Sequence, residues 1–179
     1  MLIEHDLFRG CIDKVAMAID RLKAFEPHYE GDRGNEGGER VKQTFIYEGI
    51  PKPQGRPRFA RMGKFVKAYD PNDSRAYKDN IAAQIVAQKP VLIEREKAIR
   101  LWLSFYLPRP KGHYNSKGDI KPQYAPTAHT KKPDLDNLVK AVKDSLKGIL
   151  WYDDSQVYFT EAEKKYSDKA TVHIIVEDL

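Results

Sequence analysis

Alternation between apolar and polar residues predicts the strands of this chain. Residues 99–107 read IRLWLSFYL, in which aliphatic and aromatic side chains alternate with Arg100, Trp102, Ser104 and Tyr106, a pattern typical of a half-buried strand. Residues 43–49, QTFIYEG, predict a second strand. Two further runs, 156–166 and 170–176, are separated by the short segment SDK, and we predict that they form a hairpin.

Apolar residues at helical spacing predict two helices in the same part of the chain. Residues 74–88 carry Tyr77, Ile81 and Ile85 at that spacing, and the pattern stops before Pro90. A second pattern begins at Asp134 or just after it and ends near Gly148. Its apolar face comprises Leu135, Leu138, Val139, Val142, Leu146 and Ile149. Strands mixed with two helices predict an α+β fold, with the helices covering one face of a mixed sheet.

The first 40 residues predict an extension to this domain. Residues 7–26 place Ile12, Val15, Ile19 and Leu22 at helical spacing among charged residues, which indicates an amphipathic helix. Residues 30–40, EGDRGNEGGER, combine glycines with charges and predict a flexible linker. We therefore divide the chain into an N-terminal helix at 1–29, a glycine-rich charged linker at 30–40 and one domain at 41–179.

Composition restricts the class of protein only broadly. The chain has 179 residues and a formal net charge of +5, which is compatible with a polyanionic partner. Its single cysteine, Cys11, excludes an internal disulfide framework and any zinc cluster built from cysteines. Neither a membrane span nor a signal peptide is recognisable in the sequence, so we expect a cytoplasmic protein with no membrane partner.

Acidic residues cluster around the second predicted helix, in KKPDLDNLVKAVKDSLKGILWYDDSQV, residues 131–157. One interpretation is purely structural. Asp134 would cap the helix, while Asp136, Lys140 and Asp144 would form a solvated ladder of ion pairs at i,i+4 spacing. Such patterns are common on ordinary helices, so this interpretation has to be weighed against a functional one.

The functional interpretation is a site for a divalent cation. Asp134 and Asp136 lie where the chain enters the helix, and Asp153 and Asp154 follow about one helix length later. Carboxylates from two separate turns are suitable ligands for Mg²⁺, which prefers oxygen atoms. Lys140 would then lie beside the metal as a point charge for a phosphate oxygen or an attacking water. The ordered set D-x-D-N-x-x-K followed by W-x-D-D-x-Q-V is a much more specific pattern than D-x-D-N alone.

This ordered set resembles the signature of the RusA family of Holliday junction resolvases, which are small metal-dependent endonucleases. The resemblance extends over roughly residues 43–178. It implies a RusA-like domain with a mixed α/β fold, a homodimer, dependence on Mg²⁺ or Mn²⁺, no organic cofactor and, as in many members, an origin in a prophage.

The resemblance also implies roles for individual residues. Asp134, Asp136, Lys140 and Asp154 would be catalytic, and Asp134, Asp136 and Asp154 would hold the metal. Asp153 is the alternative to Asp154: if residues 153–159 are extended, only one of the two can join the other carboxylates. Some members have arginine directly before the first aspartate, whereas this chain has Pro133 there, preceded by Lys131 and Lys132.

Basic residues concentrate in two segments that we expect to be loops. Residues 51–69, PKPQGRPRFARMGKFVKAY, contain no acidic residue, and their prolines favour a stiff, extended path suited to phosphate contacts. Residues 108–132 form a second long basic segment. The residues that we expect to contact DNA are Lys52, Arg56, Arg58, Arg61, Lys131 and Lys132.

The function predicted from the sequence is therefore resolution of four-way DNA junctions by a Mg²⁺-dependent endodeoxyribonuclease acting in recombination and repair. Two alternatives remain open. One is a nuclease that acts on other branched DNA, and the other is a non-catalytic, structure-specific DNA-binding protein.

Overall fold

The computed structural model describes residues 40–55, 58–62, 65–69 and 72–179, with the backbone alone described for residues 58–62, 65–69 and 72. The predicted N-terminal helix, and the linker up to residue 39, lie outside the described residues. The strands within these described residues are β1 (Lys42–Glu48), β2 (Arg58–Met62), β3 (Phe65–Tyr69), β4 (Ile99–Pro108), β5 (Val157–Ser167) and β6 (Thr171–Asp178). The α-helices within the same residues are α1 (Asn72–Ala87) and α2 (Leu135–Leu146).

A mixed four-stranded sheet forms the centre of the domain, with strand order β1-β6-β4-β5. β4 pairs antiparallel with β6 and parallel with β5, and β1 pairs antiparallel with β6. The predicted α+β fold with a mixed sheet and two helices is therefore confirmed. Among the described helices, none has the length and apolar composition needed to cross a membrane.

The main hydrophobic core lies between the helices and one face of this sheet. Leu138, Val142 and Leu146 of α2 are fully buried, as their helical spacing predicts. They belong to one cluster with Leu103 and Phe105 of β4. Each buried side chain of this size contributes about 1.5–3 kcal/mol through removal of apolar surface from water. This packing fixes α2 on the sheet and so determines where the beginning of the helix lies.

The predicted hairpin of the last two strands is wrong. β5 and β6 are adjacent in sequence, but β4 lies between them and pairs with both. β4 is also more than half-buried, since Trp102 and Ser104 on its outer face are only 4% and 2% exposed. A strand buried on both faces satisfies its backbone best in the interior of a sheet, with a partner on each side. Residues 168–170 therefore cross the end of β4 rather than form a tight turn.

The predicted basic loop at 51–69 is also corrected. Its second part forms a separate two-stranded antiparallel sheet of β2 and β3, in which Arg58 is opposite Tyr69 and Met62 is opposite Phe65. Pro51 to Gly55, in the first part of this segment, form the irregular connection that the sequence predicts.

Two glutamines, Gln84 of α1 and Gln88 directly after this helix, occupy the outer edge of β1. Gln88 accepts a hydrogen bond from the N–H of Ile46 and donates one to the carbonyl of the same residue. Gln84, one turn earlier, makes the same pair of hydrogen bonds with Glu48. A primary amide has the same donor and acceptor groups as a peptide bond, so these side chains replace a neighbouring strand.

Candidate active site

The first candidate ligand, Asp134, lies directly before α2 in an extended conformation, with φ −72° and ψ 142°. Its carbonyl accepts the first hydrogen bond of the helix, from the N–H of Leu138 at 3.3 Å. Its carboxylate, however, makes no capping hydrogen bond. The structural interpretation of Asp134 as a side-chain cap is therefore not supported, and its carboxylate oxygens remain available to a ligand.

The predicted ladder of ion pairs along α2 is likewise absent from the described part of the chain. Asp144 lies 4.0 Å from Lys78 of α1, and no ion pair joins Asp136 to Lys140 or Lys140 to Asp144. Both Asp136 and Lys140 are exposed. Asp136 is in the first turn of the helix, where the helix dipole favours a negative charge. The helix therefore positions the charges of Asp136, Lys140 and Asp144, but these side chains do not form ion pairs with one another.

The two aspartates after α2 have different environments. Asp153 begins a short 3₁₀ helix, Asp154–Gln156, and its carboxylate accepts a hydrogen bond from the N–H of Ser155 in a capping box. It also forms an ion pair with Lys147 at 2.5 Å. The Lys147 ammonium, followed by the Ser155 hydrogen bonds, lowers the pKa of Asp153 well below its ordinary value. Asp153 is therefore engaged in local structure.

Asp154 is instead held by one buried side chain. The indole Nε1 of Trp151 donates to its Oδ1 at 2.9 Å, and Trp151 is fully buried. Asp154 also lines a cavity of about 680 Å³ between α2 and β5, which contains Asp136 and Lys140 of the helix. The cavity is completed by Leu135, Val139, Lys143, Asp144, Thr160 and Ala162. The structure thus brings three of the four predicted catalytic residues to one cavity.

Asp134 lines a neighbouring cavity of about 610 Å³. The walls of this second cavity are mostly apolar, and Lys132, Asn137 and His129 also contribute. Residues 51–54 form part of it, because the N–H of Gln54 donates to the carbonyl of Asn137 at 2.9 Å. Asp134 therefore lies beside the first cavity rather than in it, at the end of α2 that faces the basic connection.

The carboxylates match the chemistry of a divalent cation, although the described residues contain no group of three or more acidic, histidine or cysteine side chains close enough to form a complete metal site. Carboxylate oxygens are the hard ligands that Mg²⁺ and Mn²⁺ prefer, and these cations usually complete their coordination with water and phosphate oxygens. The donor set therefore fits a cation that is shared with a substrate phosphate.

The structure describes the residues expected to contact DNA to different extents. Lys52, Lys131 and Lys132 are exposed, and Lys131 and Lys132 directly precede Pro133 and Asp134. Arg58 and Arg61 belong to β2, for which only the backbone is described. Arg56 lies outside the described residues.

The long segment after β4 is anchored by an aromatic cluster. His113 stacks on Tyr124 with ring centroids 4.0 Å apart, and His113 and His129 both contact the ring of Tyr166. Arg109 lies over Tyr166 and donates to the carbonyl of Tyr124 at 2.6 Å. This cluster fixes the path of the segment toward residues 131–134.

Lys164 of β5 was missed by the sequence interpretation. Its Nζ donates to the carbonyls of Lys131 and Pro133, directly before Asp134. A signal was present, because Thr160, Ala162 and Lys164 share one face if residues 156–166 are a strand, which places a lysine on the same face as the site.

An α+β domain with carboxylates and lysines in one cavity, beside a basic segment, has the features of a phosphodiester-cleaving enzyme. Comparison with known proteins is more specific. The model of the family Endodeoxyribonuclease RusA matches residues 48–177, and the chain belongs to this family.

Two relatives illustrate the similarity. The chain is 33% identical over 136 residues to the uncharacterised protein YqaN of Bacillus subtilis (strain 168), covering 75% of this chain and 95% of that protein. It is 26% identical over 145 residues to a protein of Lactococcus phage r1t named crossover junction endodeoxyribonuclease rusA, covering 79% of this chain and 93% of the phage protein.

Proposed function

We propose that this protein is a metal-dependent endonuclease that resolves four-way DNA junctions by paired phosphodiester hydrolysis in a homodimer. The observation that carries the proposal is the convergence of Asp136, Lys140 and Asp154, from a helix and a separate turn, on one cavity. Membership of a family of endodeoxyribonucleases supports the reaction type. The name of the phage relative supports a junction as the substrate.

Asp134, Asp136 and Asp154 are the residues that would hold Mg²⁺ or Mn²⁺. The bound cation would supply a polarised water for attack on the phosphate and would offset the negative charge of the phosphate oxygens. As metal ligands, Asp134 and Asp136 would have free carboxylates, because no hydrogen bond or ion pair to them occurs in the described part of the chain. In Asp154, one carboxylate oxygen accepts a hydrogen bond from Trp151, which restricts the rotation of the carboxylate.

Lys140 would act on the phosphate rather than on the cation. Its ammonium has only donors and carries a full positive charge, so it cannot bind a metal in that form. It lies one helical turn after Asp136 in the same cavity. From there it would stabilise the charge that develops on the phosphate or orient the attacking water.

The basic residues would hold the DNA backbone on both sides of this site. Lys131 and Lys132 precede Asp134 directly, and Lys52 lies in the connection that contacts the first turn of α2 through Gln54. Contacts to phosphates position the DNA without recognising its sequence. The remaining members of the proposed surface are Arg56, Arg58 and Arg61.

A four-way junction has to be cut in two strands of matching polarity. One cavity can perform one hydrolysis at a time, so two copies related by a two-fold axis are the simplest arrangement for paired cuts. The homodimer therefore follows from the proposed substrate.

The proposal is tested with labelled four-way, flap and linear duplex DNA, incubated with the full chain in Mg²⁺ or in EDTA. We expect paired nicks in the four-way junction that require the metal, and little cleavage of the linear duplex. Preferred cleavage of the flap would instead indicate a nuclease for other branched DNA. Tight binding to the junction with no nick in Mg²⁺ or Mn²⁺ would overturn the proposed reaction, and Asp136→Asn is the control for a contaminating nuclease.

A further inference from the structure

The outer edge of β5 holds the segment that leads to the candidate active site. The N–H of Tyr166 donates to the carbonyl of Thr127 at 2.6 Å, and the N–H of His129 donates to the carbonyl of Lys164 at 3.0 Å. Ala128 and Lys165 form an isolated antiparallel bridge at the same place. The backbone pairing ends there, four residues before Pro133, so another contact is needed to hold the last residues before α2.

The side chain of Lys164 supplies that contact. Its Nζ donates to the carbonyl of Lys131 at 2.6 Å and to the carbonyl of Pro133 at 2.5 Å. The second of these carbonyls belongs to the peptide bond that joins Pro133 to Asp134. Hydrogen bonds from an ammonium are shorter and stronger than those between neutral groups, so one lysine can fix two carbonyls that are two residues apart.

Asp134 depends on its backbone for its position. Its carboxylate has no capping hydrogen bond, so no side-chain contact of that kind fixes it. Its backbone is held from one side by the start of α2, through Leu138, and from the other by the Lys164 contacts. A ligand carboxylate has to be held within a fraction of an ångström of its productive position, and residues that contact ligands commonly perform that task.

We propose that Lys164 is a positioning residue that sets the place of the Asp134 carboxylate for metal binding, an inference that rests on the proposed function. It differs from Lys140 in its chemistry: the Lys164 ammonium is bound to backbone carbonyls, whereas Lys140 lines the cavity and has no carbonyl partner among the described residues. Lys164 is thus not a catalytic residue, and the effect of its loss should be a weaker affinity for the cation.

The chain offers a matched control in the next residue. Lys165 forms an ion pair with Glu163 at 2.7 Å and, as the neighbour of Lys164 in β5, points to the opposite face of the sheet. Lys164→Met and Lys165→Met therefore remove the same charge from the same strand. Lys164→Arg keeps a donor that can reach two carbonyls and serves as the conservative variant.

Two measurements without DNA test the proposal on the full chain. The first is Mn²⁺ binding by calorimetry, for which loss of a positioning contact is expected to weaken affinity about 10–100-fold in Lys164→Met. Lys164→Arg should recover most of this loss, and Lys165→Met should bind Mn²⁺ like the wild type. The second is the rate of trypsin cleavage after Lys131 in metal-free protein, which should increase in Lys164→Met because the carbonyl at that bond is released.

The outcomes separate this inference from the proposed function. Wild-type protein that binds Mn²⁺ but cuts no junction would overturn the proposed function, while Lys164 would still be judged by the two measurements above. Unchanged Mn²⁺ affinity in Lys164→Met would overturn the positioning role even if the wild type resolves junctions. If Lys164→Met fails to fold, Lys164→Gln, which keeps one donor group, takes its place with the same two criteria.

Discussion

The indole of Trp151 donates a hydrogen bond to Asp154, and this contact connects the hydrophobic core directly to the candidate active site. Trp151 has no exposed surface, whereas Asp154 is half-buried and lines the cavity with Asp136. A fully packed ring has little freedom to move, so it holds the carboxylate in one orientation. Asp153, the adjacent residue, is held instead by Lys147 and the capping box.

This difference gives a direct comparison between two neighbouring aspartates. Asp154→Asn should reduce nicking of a four-way junction by about a hundredfold or more, because it removes a charged ligand of the metal. Asp153→Asn should retain nicking but slightly lower the melting temperature, because the ion pair with Lys147 is lost while asparagine can still cap the 3₁₀ helix. Initial nicking rates and thermal melts of both variants check this expectation. The reverse pattern would identify Asp153 as the ligand.

Of the two aspartates of α2 that line the cavity, Asp136 should be needed for DNA cleavage and Asp144 should not. Asp136→Asn is expected to abolish nicking while leaving junction binding in EDTA as tight as in the wild type or tighter, because a negative charge beside a polyanion is removed. Asp144→Asn is the matched control, since Asp144 lines the same cavity but lies near Lys78. Gel-shift titration and nicking assays measure both effects. Near wild-type nicking by Asp136→Asn would refute the metal assignment.

Lys140 should affect the rate of cleavage and leave metal binding unchanged. Lys140→Ala is expected to lower the nicking rate at saturating Mn²⁺, with little change in the Mn²⁺ concentration that gives half the maximal rate. Lys143→Ala removes another lysine of the same cavity and should have a smaller effect. A full rate at high Mn²⁺ in Lys140→Ala would show that the lysine acts only through the metal.

Lys131 and Lys132, directly before Asp134, should increase the affinity for DNA by releasing counterions from its phosphates. Each phosphate contact steepens the fall of log affinity with log salt concentration by about 0.9, so Lys131→Ala with Lys132→Ala should flatten the slope by about two units. The control pair is Lys42→Ala with Lys89→Ala. Both lysines are exposed: Lys42 is at the start of β1 and Lys89 lies just after the end of α1. These are the ends of β1 and α1 that lie away from Gly49 and Ser74. Binding is measured in EDTA at several salt concentrations. Equal slopes for the two double variants would remove Lys131 and Lys132 from the DNA surface.

Stability should depend on pH through His129. Burial, followed by the charge of Lys164, lowers the pKa of His129 below its ordinary 6.5, so the folded protein takes up its proton at lower pH than the unfolded chain does. The contribution of neutral His129 is therefore complete above about pH 7 and declines as the pH falls through 6.5 toward the lowered pKa. The melting-temperature difference between wild type and His129→Gln should shrink from pH 7.5 to pH 5.5. A constant difference would contradict this, and Lys164→Met should reduce the effect.

The elements with strong local periodicity were predictable, and the pairing between strands was not. β4 and α2 follow from residues 99–107 and 134–148 because their apolar patterns are regular. The order of β5 and β6 depends on which strand is buried on both faces. The sequence carries a signal that β4 is buried on both faces, because Trp102 and Tyr106 place aromatic rings on the face opposite its aliphatic residues. The basic residues of 58–69 obscured the pairing of β2 with β3, although the sequence contains a glycine, Gly63, between the two runs, and glycine is favoured in hairpin turns.

The candidate site was predictable as a set of residues but not as a geometry. The motif identified Asp136, Lys140 and Asp154, which line one cavity in the structure. The choice between Asp153 and Asp154 depends on contacts with Lys147 and Trp151 that only the fold brings into place. Lys164 and the Pro133 carbonyl that it contacts are about 30 residues apart in sequence, and a local sequence pattern cannot predict a contact over that distance.

The amide ladder of Gln84 and Gln88 along β1 has a consequence for self-association. An edge strand with free N–H and C=O groups is a template on which another chain can add a strand. At β1 those groups are occupied at Ile46 and Glu48, and at β5 residues 127–129 occupy the corresponding position. At these positions, a second copy could add a strand to the sheet only by first displacing a glutamine or the 127–129 segment. A homodimer that leaves these contacts intact would use side-chain surfaces there, whose contacts can be altered by mutation without disrupting the sheet itself.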